Sequence, residues 1–282
     1  MGSPLLATCR LLSYLTLTLA LMPVQLVLVA TGSRRASVAL PLFYHRCCAW
    51  ILGFILEKRG TIATGPSTLF VVNHCSYLDI KLLGAAIPAS FIAKAEVARW
   101  PLFGWLAKLQ RTVFVERERR TKTAAQRDEV GRRLEAGDNL ILFPEGTSGD
   151  GNRILPFKSA LFSVAERRIG GAPIVVQPVT IAYVRLDGMP IGHALRPLFA
   201  WYGDMDMARH VWRAAGLGDC TVSIEFHPTV TIEAFGSRKA LAEHCRTVIA
   251  AGMDRALTGR WPEAAEARQS PPELPARPAE AI

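Results

Sequence analysis

Apolar residues enter this chain first as one long block and then as short runs separated by polar segments. The block is Leu11 to Thr31, 21 consecutive residues without a charge. As a helix rising about 1.5 Å per residue it would span roughly 32 Å, close to the ~30 Å hydrocarbon core of a bilayer. Pro23 lies inside it, and membrane helices tolerate such a kink better than soluble ones. A cleaved signal peptide fits less well, because the run exceeds the usual ~7–15-residue apolar stretch, although Val29-Ala30-Thr31 offers a poor cleavage site. A buried core helix is the third reading. Arg34, Arg35 and Arg46 come after the block while Arg10 alone precedes it, and the positive-inside bias then predicts a cytoplasmic location for the downstream globular part. A second uncharged run, Cys47–Leu56, is ten residues long and too short to cross. Ala36–Leu56 is therefore read as an interfacial or bilayer-dipping helix ending at Glu57-Lys58-Arg59.

Farther on, β-rich runs at Ser67–Val72, Ser90–Ala93, Thr112–Val115, Asn139–Phe143, Ile174–Val184 and Thr221–Phe226 alternate with helical stretches. Those stretches are Tyr77–Ala86, Thr123–Ala136 (closed by Gly137), Lys158–Arg168 and Arg238–Ala251. Such alternation predicts an α/β fold, a mixed and largely parallel sheet flanked by helices. The chain divides into three parts: membrane-anchoring transmembrane and interfacial helices over residues 1–56, one globular domain over 57–257, and a tail over 258–282. Between Trp261 and Ile282 the tail holds five prolines and no apolar periodicity, the pattern of a disordered segment.

Composition narrows the class. Of 282 residues, 50% are hydrophobic and 20% charged, which excludes a disordered or collagen-like chain. Cys9, Cys47, Cys48, Cys75, Cys220 and Cys245 form no C-x-x-C pair, so neither a zinc site nor a disulfide framework is indicated, and reduced thiols are expected. Lys and Arg number 33 against 24 Asp and Glu, a net +9. Between Ala93 and Arg133 eleven basic residues face five acidic ones, so +6 of the total falls there. A basic zone beside a membrane anchor suits anionic lipid headgroups or a negatively charged carrier, although much of Glu116–Arg127 also reads as a plain solvated face. No nucleic-acid module or aromatic-interleaved basic stripe occurs, so nucleic acid is not expected as a partner.

The chemistry concentrates in Val71-Val72-Asn73-His74-Cys75-Ser76-Tyr77-Leu78-Asp79. A strand ends, His74 comes next, and Asp79 stands five positions later in the first turn of a helix. A carboxylate that accepts one imidazole N–H fixes the tautomer and leaves the other nitrogen free to take a proton, which makes a general base. Imidazole, with a usual pKa of about 6.5, is mostly neutral near pH 7. Ser76-x-x-Asp79 is also a capping-box pattern that needs no catalysis. A second loop, Phe143-Pro144-Glu145-Gly146-Thr147-Ser148, lies after another predicted strand at the edge where ligand sites of open α/β sheets gather. Ala93 to Trp105, Val113 to Arg117 and Val176 to Ile181 supply further blocks.

With these blocks in order, from about Pro66 to Tyr183, the chain resembles the lysophosphatidic acid acyltransferase family, membrane-bound glycerolipid O-acyltransferases with an H-x4-D motif. The resemblance implies that His74 and Asp79 are catalytic and that Glu145, Gly146 and Thr147, the family's E-G-T block, bind substrate. It places a substrate-binding arginine at Arg117, a basic residue near the acceptor headgroup at Lys94, and the V-x-P-V block at Val176, Pro178 and Val179. The implied reaction is direct transfer: His74 removes the proton of a lysolipid hydroxyl as that oxygen attacks the thioester of acyl-ACP or acyl-CoA. The implied partners are the lysolipid acceptor, the acyl carrier and the membrane, with no metal, no cofactor and no acyl-enzyme. Backbone N–H groups near the E-G-T turn would hold either the headgroup or the developing oxyanion. Cys75 adjoins His74, but neighbouring side chains seldom reach each other as a nucleophile–base pair must. No G-x-S-x-G elbow is present for a serine hydrolase.

Two departures bear on the acceptor. Arg111 stands where the family often has Gly. Ser148 stands where many phosphate-acceptor members carry Arg, so one bidentate phosphate partner is missing, although Arg117, Lys94, Arg153 and Lys158 remain. The stretches Phe143 to Lys158 and Trp201 to Asp206 look like the lyso-ornithine lipid O-acyltransferase branch, whose acceptor carries a carboxylate and an ammonium. Asp150 would suit that ammonium, or be only a turn residue before Gly151. Ornithine lipid formation is thus the favoured expectation, with phosphatidic acid formation from 1-acylglycerol 3-phosphate next and a non-catalytic lipid-binding protein as the rival from another class.

Overall fold

The computed structural model describes residues 2–65, 67–115 and 120–261. Arg117 and residues 262–282 of the expected tail lie outside them. Ser3 caps α1 (Pro4–Ala30), its hydroxyl accepting the Leu6 N–H, with Pro4 at the position where a missing N–H costs nothing. By length and composition α1 is apolar enough to cross a membrane, with a mean hydropathy of 1.9. Its faces are inverted relative to a soluble helix. Leu5, Leu12, Leu15, Leu19 and Leu26 point outward, while Ala7, Thr18 and Gln25 are buried. The Thr18 hydroxyl meets Tyr44 Oη at 2.9 Å, and the Gln25 amide donates to the carbonyls of Ser37 and Leu109. Near the start of α1, the Arg10 guanidinium donates to the carbonyls of Ala215 and Leu217 and to Asp219. Just beyond its end, Arg34 pairs with the buried Asp138.

α2 (Arg34–Ile51) folds back along α1 and stops at Leu52-Gly53. Gly53 has φ +77°, and a Cβ there would lie 2.0 Å from Arg10 Nη2, so the chain turns where only glycine fits. Next comes a strand, β1 (Phe54–Gly60), hydrogen-bonded in parallel to a strand over residues 220–226. The helix expected over Ala36–Leu56 is therefore shorter than its sequence suggests, and the boundary drawn at residue 56 falls inside β1. Phe54 and Leu56 pack on the core while Ile55 between them faces out, and the unbroken apolar run alone did not separate the strand from the helix before it.

The next elements keep to the predicted alternation, with one helix, α4, that was not expected: β2 (Thr68–Val72), α3 (Leu78–Ala86), β3 (Ser90–Lys94), α4 (Phe103–Leu109), β4 (Val113–Val115), α5 (Arg120–Glu135) and β5 (Leu140–Leu142). A 3-10 helix over Ser159–Glu166 stands where an α-helix was expected. After it come the short pair β6 (Arg168–Ile169) and β7 (Ala172–Pro173), the long β8 (Val175–Leu186), β9 (Met189–Pro190), α6 (Met207–Ala215), β10 (Cys220–Phe226) and α7 (Arg238–Thr258). The main sheet runs β1-β10-β8-β2-β5-β3-β4, with β9 on β8. β8, β2, β5, β3 and β4 are parallel, and β10 is antiparallel to β8.

β2 is buried on both sides, which explains its unbroken apolar run. Phe70 and Val72 face one core with Leu82 and Leu83 of α3, Ala49 of α2 and Ala214 of α6. Leu69 and Val71 face the other with Leu134 of α5, Phe162, and Leu241 and Ile249 of α7. Each such fully buried side chain contributes about 1.5–3 kcal/mol of transfer free energy. The consequence for function is positional. β2, β3, β4 and β5 all end at one edge of the sheet, and the motif blocks lie just past those ends.

Candidate active site

His74 leaves the end of β2 two residues after Val72. Its backbone is held from both sides: the N–H donates to Glu145 Oε1 at 2.8 Å, and its carbonyl accepts from Gly149 N–H at 3.0 Å. The imidazole stacks on Phe143, centroids 4.1 Å apart and planes 19° from parallel, and Phe143 in turn stacks on Phe91 at 6.1 Å. Nδ1 lies 2.8 Å from Asp79 Oδ2. The other ring nitrogen has no hydrogen-bond partner among the described residues, and the side chain keeps 20% of its surface open. This is the form a proton acceptor needs: one nitrogen fixed, one presented.

Asp79 is fully buried. Oδ2 also accepts the N–H groups of Cys75 and Ser76, at 2.8 and 2.9 Å, and Oδ1 accepts the Tyr183 hydroxyl at 2.8 Å. One carboxylate thus closes the start of α3 and orients His74, but only half of the expected capping box forms, because the Ser76 hydroxyl accepts the Leu78 N–H and leaves that of Asp79 to the Ser76 carbonyl. The helix starts one residue later than expected, at Leu78, with Tyr77 as its flanking residue. Burial, then the Asp79 and Glu145 carboxylates, push the Cys75 thiol well above its usual range. A thiol so placed is a poor nucleophile.

Asn73 and Tyr183 were not singled out from the sequence. The Asn73 amide donates to the Ile181 carbonyl and accepts the Ile181 N–H, both at 2.9 Å. A side chain thereby continues the β2–β8 ladder past the Val72–Val179 pair. Tyr183, two residues along and on the same face as Ile181, is delivered against Asp79.

Glu145 behaves differently from the expected substrate ligand. Both its oxygens are taken by backbone: Oε1 by His74 and Oε2 by Leu155 N–H at 3.0 Å. It ties the His74 turn to the loop that carries Arg153. Burial pushes its carboxyl up to about 7, against the lowering pull of those two N–H groups and with a further rise from Asp79. The folded chain therefore binds this proton more tightly than the unfolded chain, whose carboxyl titrates near 4.5. The resulting stability is greatest below about pH 4.5 and is lost as pH rises towards 7. Measured against Glu145→Gln, which cannot titrate, the wild-type unfolding free energy should fall by roughly 2–3 kcal/mol across that window. A difference that stays flat with pH would return Glu145 to an ordinary carboxylate.

Gly146 takes φ +75° at the turn, and Thr147 beside it is exposed. Ser148 is turned away, its hydroxyl donating to the Trp201 carbonyl. Lys94 is exposed at the end of β3 and has no acidic partner among the described residues. β4 ends at Val115 beside β3, two residues short of Arg117. Asp150 accepts Asn152 N–H at 3.0 Å, the geometry of a turn residue.

Residues 54–182 match the family model described as Acyltransferase. A lyso-ornithine lipid O-acyltransferase of Brucella abortus (strain 2308) is 45% identical over 249 residues, covering 86% of this chain and 92% of that one. One of Rhizobium meliloti (strain 1021) is 35% identical over 268 residues, 94% of this chain and 91% of its own. The crystal structure of a 1-acyl-sn-glycerophosphate (LPA) acyltransferase from Thermotoga maritima shares the fold, with a TM-score of 0.58 at 21% identity, covering 90% of this chain and all of that one.

Proposed function

Since the chain belongs to the acyltransferase family, we propose that it is a lysolipid O-acyltransferase that acylates lyso-ornithine lipid to ornithine lipid, with His74 as general base. The observation that carries this reading is the His74–Asp79 contact at 2.8 Å, with the second imidazole nitrogen presented at the strand-end edge. That nitrogen takes the proton of the lysolipid 3-hydroxyl while the oxygen attacks the carbonyl carbon of an acyl thioester. The tetrahedral intermediate collapses by breaking the C–S bond, and the imidazolium returns the proton to the departing thiolate. Asp79 holds the tautomer and faces the positive charge as it forms. The donor is acyl-ACP or acyl-CoA, and no covalent enzyme intermediate forms.

The lyso-ornithine acceptor is favoured by the names of the two relatives and by Ser148, whose hydroxyl is committed to Trp201 where a guanidinium would clamp a phosphate. Acylation of 1-acylglycerol 3-phosphate is the second reading, favoured by Lys94 at the same edge, which has no acidic partner among the described residues. Lys94, Arg117 and Thr147 are assigned to the headgroup in either case, and Glu145 to tying the His74 turn to the loop that carries Thr147. Membranes containing the protein, supplied with labelled acyl-ACP or acyl-CoA and each lysolipid separately, should yield labelled ornithine lipid as the main product. Label in phosphatidic acid alone would transfer the assignment to the second reading.

The N-terminal helices support a lipid-surface location for this chemistry. Arg10 and Arg34 tie both ends of α1 to the same domain while its leucines face outward. This arrangement supports an α1 embedded along one leaflet in place of a helix crossing it, and Arg34, Arg35 and Arg46 after it favour the cytoplasmic side of the inner membrane.

A further inference from the structure

Asp79 has two oxygens, and the His74 contact uses one of them. The second, Oδ1, lies in the core between α3 and β8, out of reach of water. An ionised oxygen buried without a donor is costly, by more than a neutral group in the same place. Apart from the distant Cys75 sulfur at 3.8 Å, its donor is the Tyr183 hydroxyl at 2.8 Å. Tyr183 is itself fixed: its ring stacks on Phe199 at 5.4 Å and 10°, meets Phe54 edge-on at 6.3 Å, and is 2% exposed. Burial and then the Asp79 carboxylate push the phenol well above its usual range, so it stays protonated and donates. The register that delivers it is locked by the two Asn73–Ile181 bonds.

We propose that Tyr183 is a positioning residue of the acyl transfer, its hydroxyl fastening Asp79 through Oδ1 so that Oδ2 stays aimed at His74 Nδ1. The proposal rests on the reading of His74 and Asp79 as the general-base pair. It has a signed consequence for pH dependence. A donor to an ionised carboxylate stabilises that charge, so removing the donor makes the His–Asp pair hold a proton more tightly. The inactive protonated form then persists to higher pH. The other titratable groups near the pair are Glu145 and Asp150 from the loop after β5, Cys75 from the turn before α3, and Cys220 from β10. Both thiols are pushed upward by burial and remain neutral, and Glu145, itself raised to about 7, and Asp150 are unchanged between wild type and variant, so the comparison isolates the Tyr183 hydroxyl.

The test compares pH–rate profiles of wild type, Tyr183→Phe, Phe199→Leu and His74→Ala in the same membranes. Tyr183→Phe keeps the ring and its stacking and removes one oxygen. Its kcat should fall about tenfold, KM for donor and acceptor should stay within about twofold, and the acid limb should move up by about one pH unit. Phe199→Leu, which loosens the ring and keeps the hydroxyl, should lower the melting temperature and leave the acid limb in place. Site-specific 3-fluorotyrosine at position 183 strengthens the donor, keeps the side chain nearly intact, and should move the limb the other way, so the inference can be read even where Tyr183→Phe folds poorly. If His74→Ala is inactive while the Tyr183 variants keep the wild-type limb, the inference fails and the general-base reading stands. If His74→Ala remains active, the general-base reading itself fails.

Discussion

Replacing His74 by Ala should lower acyl transfer by about 10²–10⁴-fold, the usual contribution of a positioned general base, while leaving folding almost untouched. The expectation of intact folding comes from the contacts. The ring packs on Phe143 at the surface of the site, and the bonds that hold the turn are made by the His74 backbone, to Glu145 and Gly149, which alanine retains. Asp79 keeps the Cys75, Ser76 and Tyr183 donors when the imidazole is gone. His74 is therefore a cleaner probe than Asp79, whose removal would leave several buried donors without an acceptor and confuse chemistry with stability. The check is a steady-state assay beside a thermal melt of the same preparation. Activity above a tenth of wild type, with a normal melt, would refute the mechanism.

The second large effect should appear at the lipid surface. Leu12 and Leu19 lie on the outward stripe of α1, 59% and 53% exposed, and they belong to no core cluster among the described residues. Changing both to Glu withdraws two leucines worth up to about 1.5–3 kcal/mol each when buried and adds two charges to an apolar face. Binding to phospholipid vesicles, scored by co-flotation, should weaken by 100-fold or more. Turnover of a short-chain, water-soluble lysolipid should persist, because the residues assigned to the reaction, His74 after β2 and Asp79 in α3, do not involve that face. Unaltered flotation would show that α1 does not hold the protein to lipid.

How much of the molecule was readable from its sequence depends on the range of each interaction. β2 and β5 announced themselves as unbroken apolar runs because both their faces are covered. His74 and Asp79 were legible because the partners are five residues apart, within one turn of chain. Glu145 was legible as a member of a block but not in its role, since nothing local says that its carboxylate turns inward onto the His74 and Leu155 N–H groups. β1 was missed because its strand character comes from pairing with β10, far along the chain, while locally it continues the apolar pattern of α2. Asn73 and Tyr183 meet their partners across 108 and 104 residues, distances at which single-sequence patterns carry no signal. The inverted polarity of α1 was hidden for another reason: Arg10, Thr18 and Gln25 look like isolated interruptions until their carbonyl and hydroxyl partners are brought alongside.

The three-ring stack of His74, Phe143 and Phe91 also limits what the imidazole can do during a turnover. Held by an aromatic face on one side and by Asp79 at Nδ1, the ring cannot swivel without breaking both contacts. In the proposed mechanism a single nitrogen therefore serves both events, deprotonating the alcohol and protonating the sulfur, and alcohol and thioester converge on the same flank of the imidazole within one encounter. That mechanism requires both substrates to occupy the site at once.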